Sequence, residues 1–395
     1  MLELLDSLWF EGPVCDVGEV RHAIAAARPK ATKALLEGVI ELALESTEEK
    51  QDALKALGKY ADRLAYESEF ALAAHVYEVQ INAARDANFM WLLPAAYQHL
   101  ASCQREMNDL LRALETYNIG ETLATEYGDE ETAIRILIGR ANLLRVSKRF
   151  NEARSDLGSA LQRARAVGEP DLIGRASHEL GIAMYRLGKY VEALTHYAEA
   201  LRAFVHPPER HRLLNDIGRA LGALGVLDAA RDAHLAVYSA KSELYVRQAA
   251  AINLMALAHE TRDRVGFDLY RAVPRARMPL RFLLAYFFEL GDGAIAFGLR
   301  LEARDAFEHA ARVATRLGDK DDEKKARQAM VTLRARLPRK SAPPVDFPAV
   351  VHELLATLNT LKLMPDMRAQ SVHAEGEKRG RSRSVRRALG TRRSG

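Results

Sequence analysis

A small residue returns along this chain at a nearly fixed interval. Ala73, Ala113, Ala153, Ala193, Ala230 and Ala303 are separated by 40, 40, 40, 37 and 73 positions, and the last gap holds one weak unit of similar length. Four residues after each alanine comes a bulky partner: Tyr77, Tyr117, Leu157, Tyr197, His234 or Phe307. Three before the first five stands Phe70, Leu110, Phe150, Tyr190 or Leu227, and twelve before each is Ala61, Ala101, Ala141, Gly181, Gly218 or Gly291. Small, large and turn positions kept in step at this period specify a helical hairpin. The small residues let two backbones approach, and the bulky side chain fills the space beside them. One hairpin cannot bury its apolar face alone, so the pattern requires a stack of them.

The best-formed copy runs from Gly174 to Pro208. Leu180-Gly181, Met184 and Tyr185 sit on its first helix, Gly188-Lys189-Tyr190 makes the turn, and Ala193, Tyr197 and Ala200 sit on the second. Asn88, Gly128 and Gly168, again 40 apart, stand where a left-handed residue closes the second helix, and Gly318 repeats the signal. Asp129 and Glu169 follow as starts of the next helix. Near 249–273 the unit degenerates: Phe267 replaces the alanine, and Pro274 and Pro279 break the helix, so a kink or change of superhelical pitch is expected there. Pro279 to Leu299 is the most membrane-like stretch, but Arg281, Glu289 and Asp292 interrupt it. A spanning helix needs about 20 predominantly apolar residues, and the stretch reads as a buried repeat helix.

Around the array, residues 1–50 read as N-terminal capping helices, with Val17–Arg28 and Ala31–Glu45 separated by Pro29 and no basic cluster to mark a DNA-recognition helix. The array spans 51–318, with about seven units. Residues 319–336 form a charged capping helix, 337–347 a linker and 348–363 an amphipathic helix. That helix has Val351, Leu354, Leu355, Leu358 and Leu361 on one side, and it either docks back on the array or binds a partner. Residues 364–395 read as a basic disordered tail. The chain carries +4 in all; from Arg368 onward nine basic and two acidic residues give +7, leaving −3 for the rest. Arg379, Arg381, Arg383, Arg386, Arg387, Arg392 and Arg393 would grip nucleic-acid phosphates without reading bases, since no aromatic accompanies them. The acidic N-terminal start does not resemble an export signal, and two cysteines, Cys15 and Cys103, suit a reducing compartment. The expected location is the cytoplasm, with no membrane partner.

From about Leu54 to Gly318 the pattern resembles the tetratricopeptide repeat family, with units of 37–40 residues in place of the family's usual length. The expected fold is all-α: a right-handed α-solenoid of helix-turn-helix repeats with N- and C-terminal capping helices. The resemblance implies that first helices line a concave groove that holds a peptide or partner protein. By register the groove takes Lys55, Lys59, Asp62 and Tyr66, then Gln98, His99, Ser102 and Arg105, then Arg135, Asn142 and Arg145. Arg175, His178, Glu179, Tyr185 and Arg186 follow, and then Arg212, Asn215, Asp216 and Arg219. Arg135, Arg175 and Arg212 fall at one place in three consecutive units. Stacked like charges repel, so either Glu179 and Asp216 relieve them or an acidic ligand does. The family's Lys and Asn clamp for a chain-terminal carboxylate is matched only in part.

No arrangement of catalytic residues emerges. His178-Glu179 and His352-Glu353 lack a second histidine four residues after the first, and the glycines at 181 and 188 are too far apart for a phosphate loop. The reading is a non-enzymatic scaffold, without cofactor or metal, that binds an acidic or amphipathic protein segment or peptide. The alternatives are a sensor or regulatory array in a bacterial signalling or transcription pathway, and a nucleic-acid-associated regulator acting through the tail. Partner identity and oligomeric state stay open.

Overall fold

All six recurrent alanines, Ala73 through Ala303, are completely buried, and so, to within 2%, are the bulky side chains four residues after them. In the computed structural model residues 50–240, 243–333 and 346–361 are described. They form sixteen α-helices and no strand. The capping pair expected within 1–50 and the basic tail lie outside the described residues.

The helices fall into two units, divided between Leu187 and Gly188. The first holds α1 (Lys50–Tyr66), α2 (Phe70–Asp86), α3 (Leu93–Glu106), α4 (Leu110–Glu126), α5 (Glu130–Val146), α6 (Phe150–Val167) and α7 (Pro170–Arg186). Each of α1, α3 and α5 packs on the helix that follows it and on the next first helix along. Phe70, Leu110 and Phe150, predicted from spacing alone, are the first residues of the second helices.

The second unit holds α8 (Tyr190–Ala203), α9 (Pro207–Ala223), α10 (Leu227–Ser239), α11 (Leu244–Glu260), α12 (Arg264–Tyr270), α13 (Leu280–Ala296), α14 (Arg300–Leu317), α15 (Lys320–Thr332) and α16 (Ala349–Leu361). Here α9 pairs with α10, α11 with α12 and α13, and α13 with α14, while α15 packs on α14 as the polar cap. The stretch compared above with a membrane span is α13, whose Leu284, Tyr286, Phe287 and Phe288 are buried. The amphipathic C-terminal helix docks back as α16, against α8 and α10, burying Val351, Leu354 and Leu358.

The turn between first and second helix is the most regular feature. Ser68, Asn108, Lys148, Gly188, Gly225, Arg262 and Gly298 all take φ between 60° and 78°. The amide that follows reaches back to a carbonyl of the first helix, as in Glu69 N to Leu64 O and Arg149 N to Leu144 O. Glycine fills three of these seven places. At the other end of the hairpin Asn88, Gly128, Gly168 and Gly318 are left-handed as expected. Asp129 caps α5 through the Thr132 amide at 3.1 Å. Glu169 makes no side-chain cap; Pro170 at the first helical position starts α7 instead.

At the degenerate unit the second helix shrinks to the seven residues of α12. Phe267, in the alanine position, is completely buried. The prolines do break the helix: the chain leaves it through 271–279, where Gln248 Nε2 donates to the carbonyls of Pro274 (2.9 Å) and Ala276 (3.3 Å).

Candidate partner-binding face

The polar residues of the first helices are organised from behind by the second helices. In the first unit Tyr77 OH donates to Asp62 Oδ1 at 2.6 Å and its ring stacks on His99 at 5.5 Å. His99 Nδ1 lies 3.5 Å from the same carboxylate oxygen. Burial holds His99 below the usual imidazole range, with Asp62 opposing and Arg135 adding to the shift. One unit on, the Tyr117 hydroxyl meets Ser102 Oγ at 3.0 Å. Both pairs are 15 residues apart. The ring that nests in the hairpin carries its hydroxyl to the residue just after the small one on the first helix.

In the second unit the nesting residue is His234, and its Nδ1 sits 2.8 Å from Asn215 Oδ1. Asn253 Nδ2 donates to the same oxygen at 3.0 Å, so His234 carries its proton on Nδ1. Complete burial, with Arg219 nearby, pushes its pKa down to about 3, and the ring is neutral. Asn215, expected on the groove, is therefore an interior residue, 9% exposed. A buried amide placed between two hydrogen-bonding partners orders the core and is withdrawn from any ligand.

The arginines are paired in a different way from that expected. Arg135 pairs with Glu131 at 3.7 Å and Arg175 with Asp171 at 2.7 Å, each one turn back on its own helix. At Arg212 of α9 the corresponding acidic place is Pro208. Arg212 is instead held by Glu243 at 3.0 Å and lies over the Tyr245 ring at 5.5 Å, both from the next first helix. Burial and the Glu243 hydrogen bond push the Tyr245 phenol up to about 12. Glu179 pairs with Arg145 at 3.4 Å, and Asp216 with Arg219 at 3.0 Å. Arg145 also donates to Asn142 Oδ1 at 2.9 Å, and Arg105 pairs with Glu106 at 2.6 Å. On α7, His178 and Tyr185 are half-buried and Arg186 is exposed. Lys55 lies over the Trp91 ring, Tyr66 is 82% exposed, and Gln98 donates to Ser102 Oγ at 3.3 Å.

One structural arginine escaped the sequence reading. Arg140 of α5 binds Asp156 of α6 at 2.8 and 3.1 Å and Asn118 of α4 at 3.0 Å, with Glu121 of α4 as a further partner. It ties three consecutive helices. By contrast, the partners of Arg135 and Arg175 were legible, since Glu131 and Asp171 are themselves 40 residues apart. The contacts of the tail arginines, Arg379 to Arg393, lie outside the described residues.

Among the described residues no group of three or more His, Cys, Asp or Glu side chains is placed to hold a metal ion, and no helix is long and apolar enough to cross a membrane.

Antiparallel hairpins with left-handed turns at near-regular intervals and a bulky side chain nested between their helices define a helical-repeat protein. Residues 132–204 match the tetratricopeptide repeat model, and the chain carries repeats of that type with lengthened units. The apo form of RapI aligns with 81% of this chain and 98% of its own, at 12% identity and a TM-score of 0.55, a likeness of fold. A Rap protein complexed with competence and sporulation factor matches at 14% identity and a TM-score of 0.40, covering 90% of this chain and 96% of its own. A signal-transduction ATPase with a tetratricopeptide repeat sensor, from Pyrococcus horikoshii, matches at 14% identity and 0.40, over 91% of this chain and 52% of its own. No curated protein sequence matches the chain.

Proposed function

We propose that this chain is a non-enzymatic, cytoplasmic protein-interaction module whose first-helix faces take up an acidic or amphipathic segment of another protein. The observation that carries the reading is the state of Arg135 and Arg175. They occupy equivalent places on α5 and α7, remain partly exposed, and are held in place by a carboxylate on their own helix. An exposed pair of this kind is worth roughly 0.3–0.5 kcal/mol, so a ligand carboxylate can replace the internal partner at small cost while the guanidinium is already positioned. Arg145 and Arg219 extend the basic lining within their own units, each beside a half-buried acid. Asn215 and His234 lie behind the face and set its shape.

The test replaces Arg135, Arg175 and Arg212 with Glu in the full chain. Capture of partner protein from native lysate should be abolished and should fall with salt in the wild type, while helicity and melting stay unchanged. Equal capture by the triple variant overturns the reading.

A further inference from the structure

The C-terminal helix α16 sits on the second helices α8 and α10, and its seat has the properties of a receptor. α16 contacts α8 and α10 and lies over the last turns of α8, against Ala198, Leu201 and Arg202, with Arg210 of α9 beside them. Val351, Leu354 and Leu358 point inward at spacings of three and four, the pattern by which an amphipathic helix enters a groove. Two features mark this seat as only partly closed. A solvent-open cleft of about 140 Å³ remains beside the helix, walled on the α16 side by Val350, Glu353, Leu354 and Thr357, so α16 does not cover the whole of its seat. The Arg202–Glu353 pair, 2.5 Å long, is more than half exposed at both ends, so it selects the charge of an occupant more than it fixes α16 in place. Being attached through residues 334–345 makes its docking intramolecular, which allows a modest contact to persist.

We infer that the groove between α8 and α10 is a binding site for an amphipathic helix of a partner protein, and that α16 is its resident, exchangeable occupant. The groove chemistry specifies the partner. It has apolar anchors in the places of Val351, Leu354 and Leu358, a larger apolar residue in the place of Val350 or Thr357 to fill the cleft, and an acid in the place of Glu353 facing Arg202. This proposal does not depend on the function of the arginine-lined faces.

The experiment uses the full chain and two synthetic peptides of residues 346–361, one of native sequence and one with Val350→Leu and Thr357→Leu, read by fluorescence anisotropy. The Leu354→Asp chain, whose own helix is expelled, should bind the enlarged peptide about tenfold more tightly than the wild type does, and more tightly than it binds the native peptide. Arg202→Glu in that background should weaken binding, and a peptide with Glu353→Lys should recover it. In the otherwise native chain Thr357→Leu should raise hydrogen-exchange protection of 349–361. The inference is overturned if the Leu354→Asp chain binds neither peptide at about 1 mM, or if binding ignores the charge at 202. Loss of cooperative melting in the Leu354→Asp chain also overturns it, since α16 would then be a fixed part of the core, as does unchanged protection in the Thr357→Leu chain.

Discussion

The ring of Phe267 lies where a side chain on Gly293 would stand: a β-carbon built on that glycine meets the ring at 2.0 Å. The other units place alanine at the position of Phe267 and so leave room for a bulkier first helix. Here the large residue is on the second helix and the small one on the first helix that follows. Gly293→Ala should therefore cost about 1–3 kcal/mol through overpacking, and Phe267→Ala about 3–5 kcal/mol through the cavity it leaves. Denaturant unfolding of the double variant should show a loss smaller than the sum by more than about 0.5 kcal/mol, the sign of direct coupling.

His234 predicts a pH dependence. Its pKa is depressed to about 3 in the folded chain from an ordinary 6.5, so between these values the unfolded state holds one more proton than the folded state. Its contribution to stability is complete above pH 6.5 and declines below it, by about 1.4 kcal/mol per pH unit. His234→Tyr places at this site the residue found at Tyr77 and Tyr117, whose hydroxyl, by the same 15-residue register, would face Arg219. Urea melts of the variant should lack this part of the acid slope, about 2 kcal/mol between pH 6.5 and 5.

Lys148 holds φ at 60° in a turn where other units use glycine. A left-handed non-glycine residue costs roughly 1–2 kcal/mol, and glycine returns about 0.5–1 kcal/mol of that as extra freedom in the unfolded chain. Lys148→Gly should raise the melting temperature by an amount equivalent to about 0.5–1 kcal/mol. Gly225→Ala, at the same place in another unit, should lower it.

Arg140 and Arg135 separate structural from available charge. Arg140→Ala leaves Asp156 and Glu121 without their cation between packed helices and should cost about 2–3 kcal/mol in thermal unfolding. Arg135→Ala removes an exposed pair and should cost less than about 0.5 kcal/mol. A large loss at Arg135 would place that arginine among the structural ones and remove it from the proposed binding face.

The hairpin stack was readable in linear order because each helix pair meets its neighbours through local, repeated contacts. Burial of an alanine such as Ala113 and a ring such as Tyr117 follows from period alone. The shortened α12 was visible as a defect, through Phe267 and the two prolines, but its compensation was not, because Gly293 lies on the following first helix and outside the counted positions. The left-handed turns at Ser68, Asn108, Lys148 and Arg262 were hidden for another reason: the cost of a wrong residue there is small enough to be outweighed by packing on both sides.

Register also told which residues share a helix face, since 3.6 residues per turn and a period near 40 set that before any packing occurs. Which of them reach solvent depended on what each met across the hairpin. Asn215 lies one turn from Arg212 on the same helix, yet it turns inward because His234 and Asn253 offer it both hydrogen bonds. Arg212 looks like Arg135 and Arg175 in the chain, but Pro208 removes its acid and Glu243 supplies another from the next helix. The seat of α16 on α8 and α10 is a contact between residues more than a hundred positions apart, as Arg202 and Glu353 show. No local pattern encodes such a contact; it exists because folding brings a basic edge and an unfilled groove within reach of the amphipathic helix.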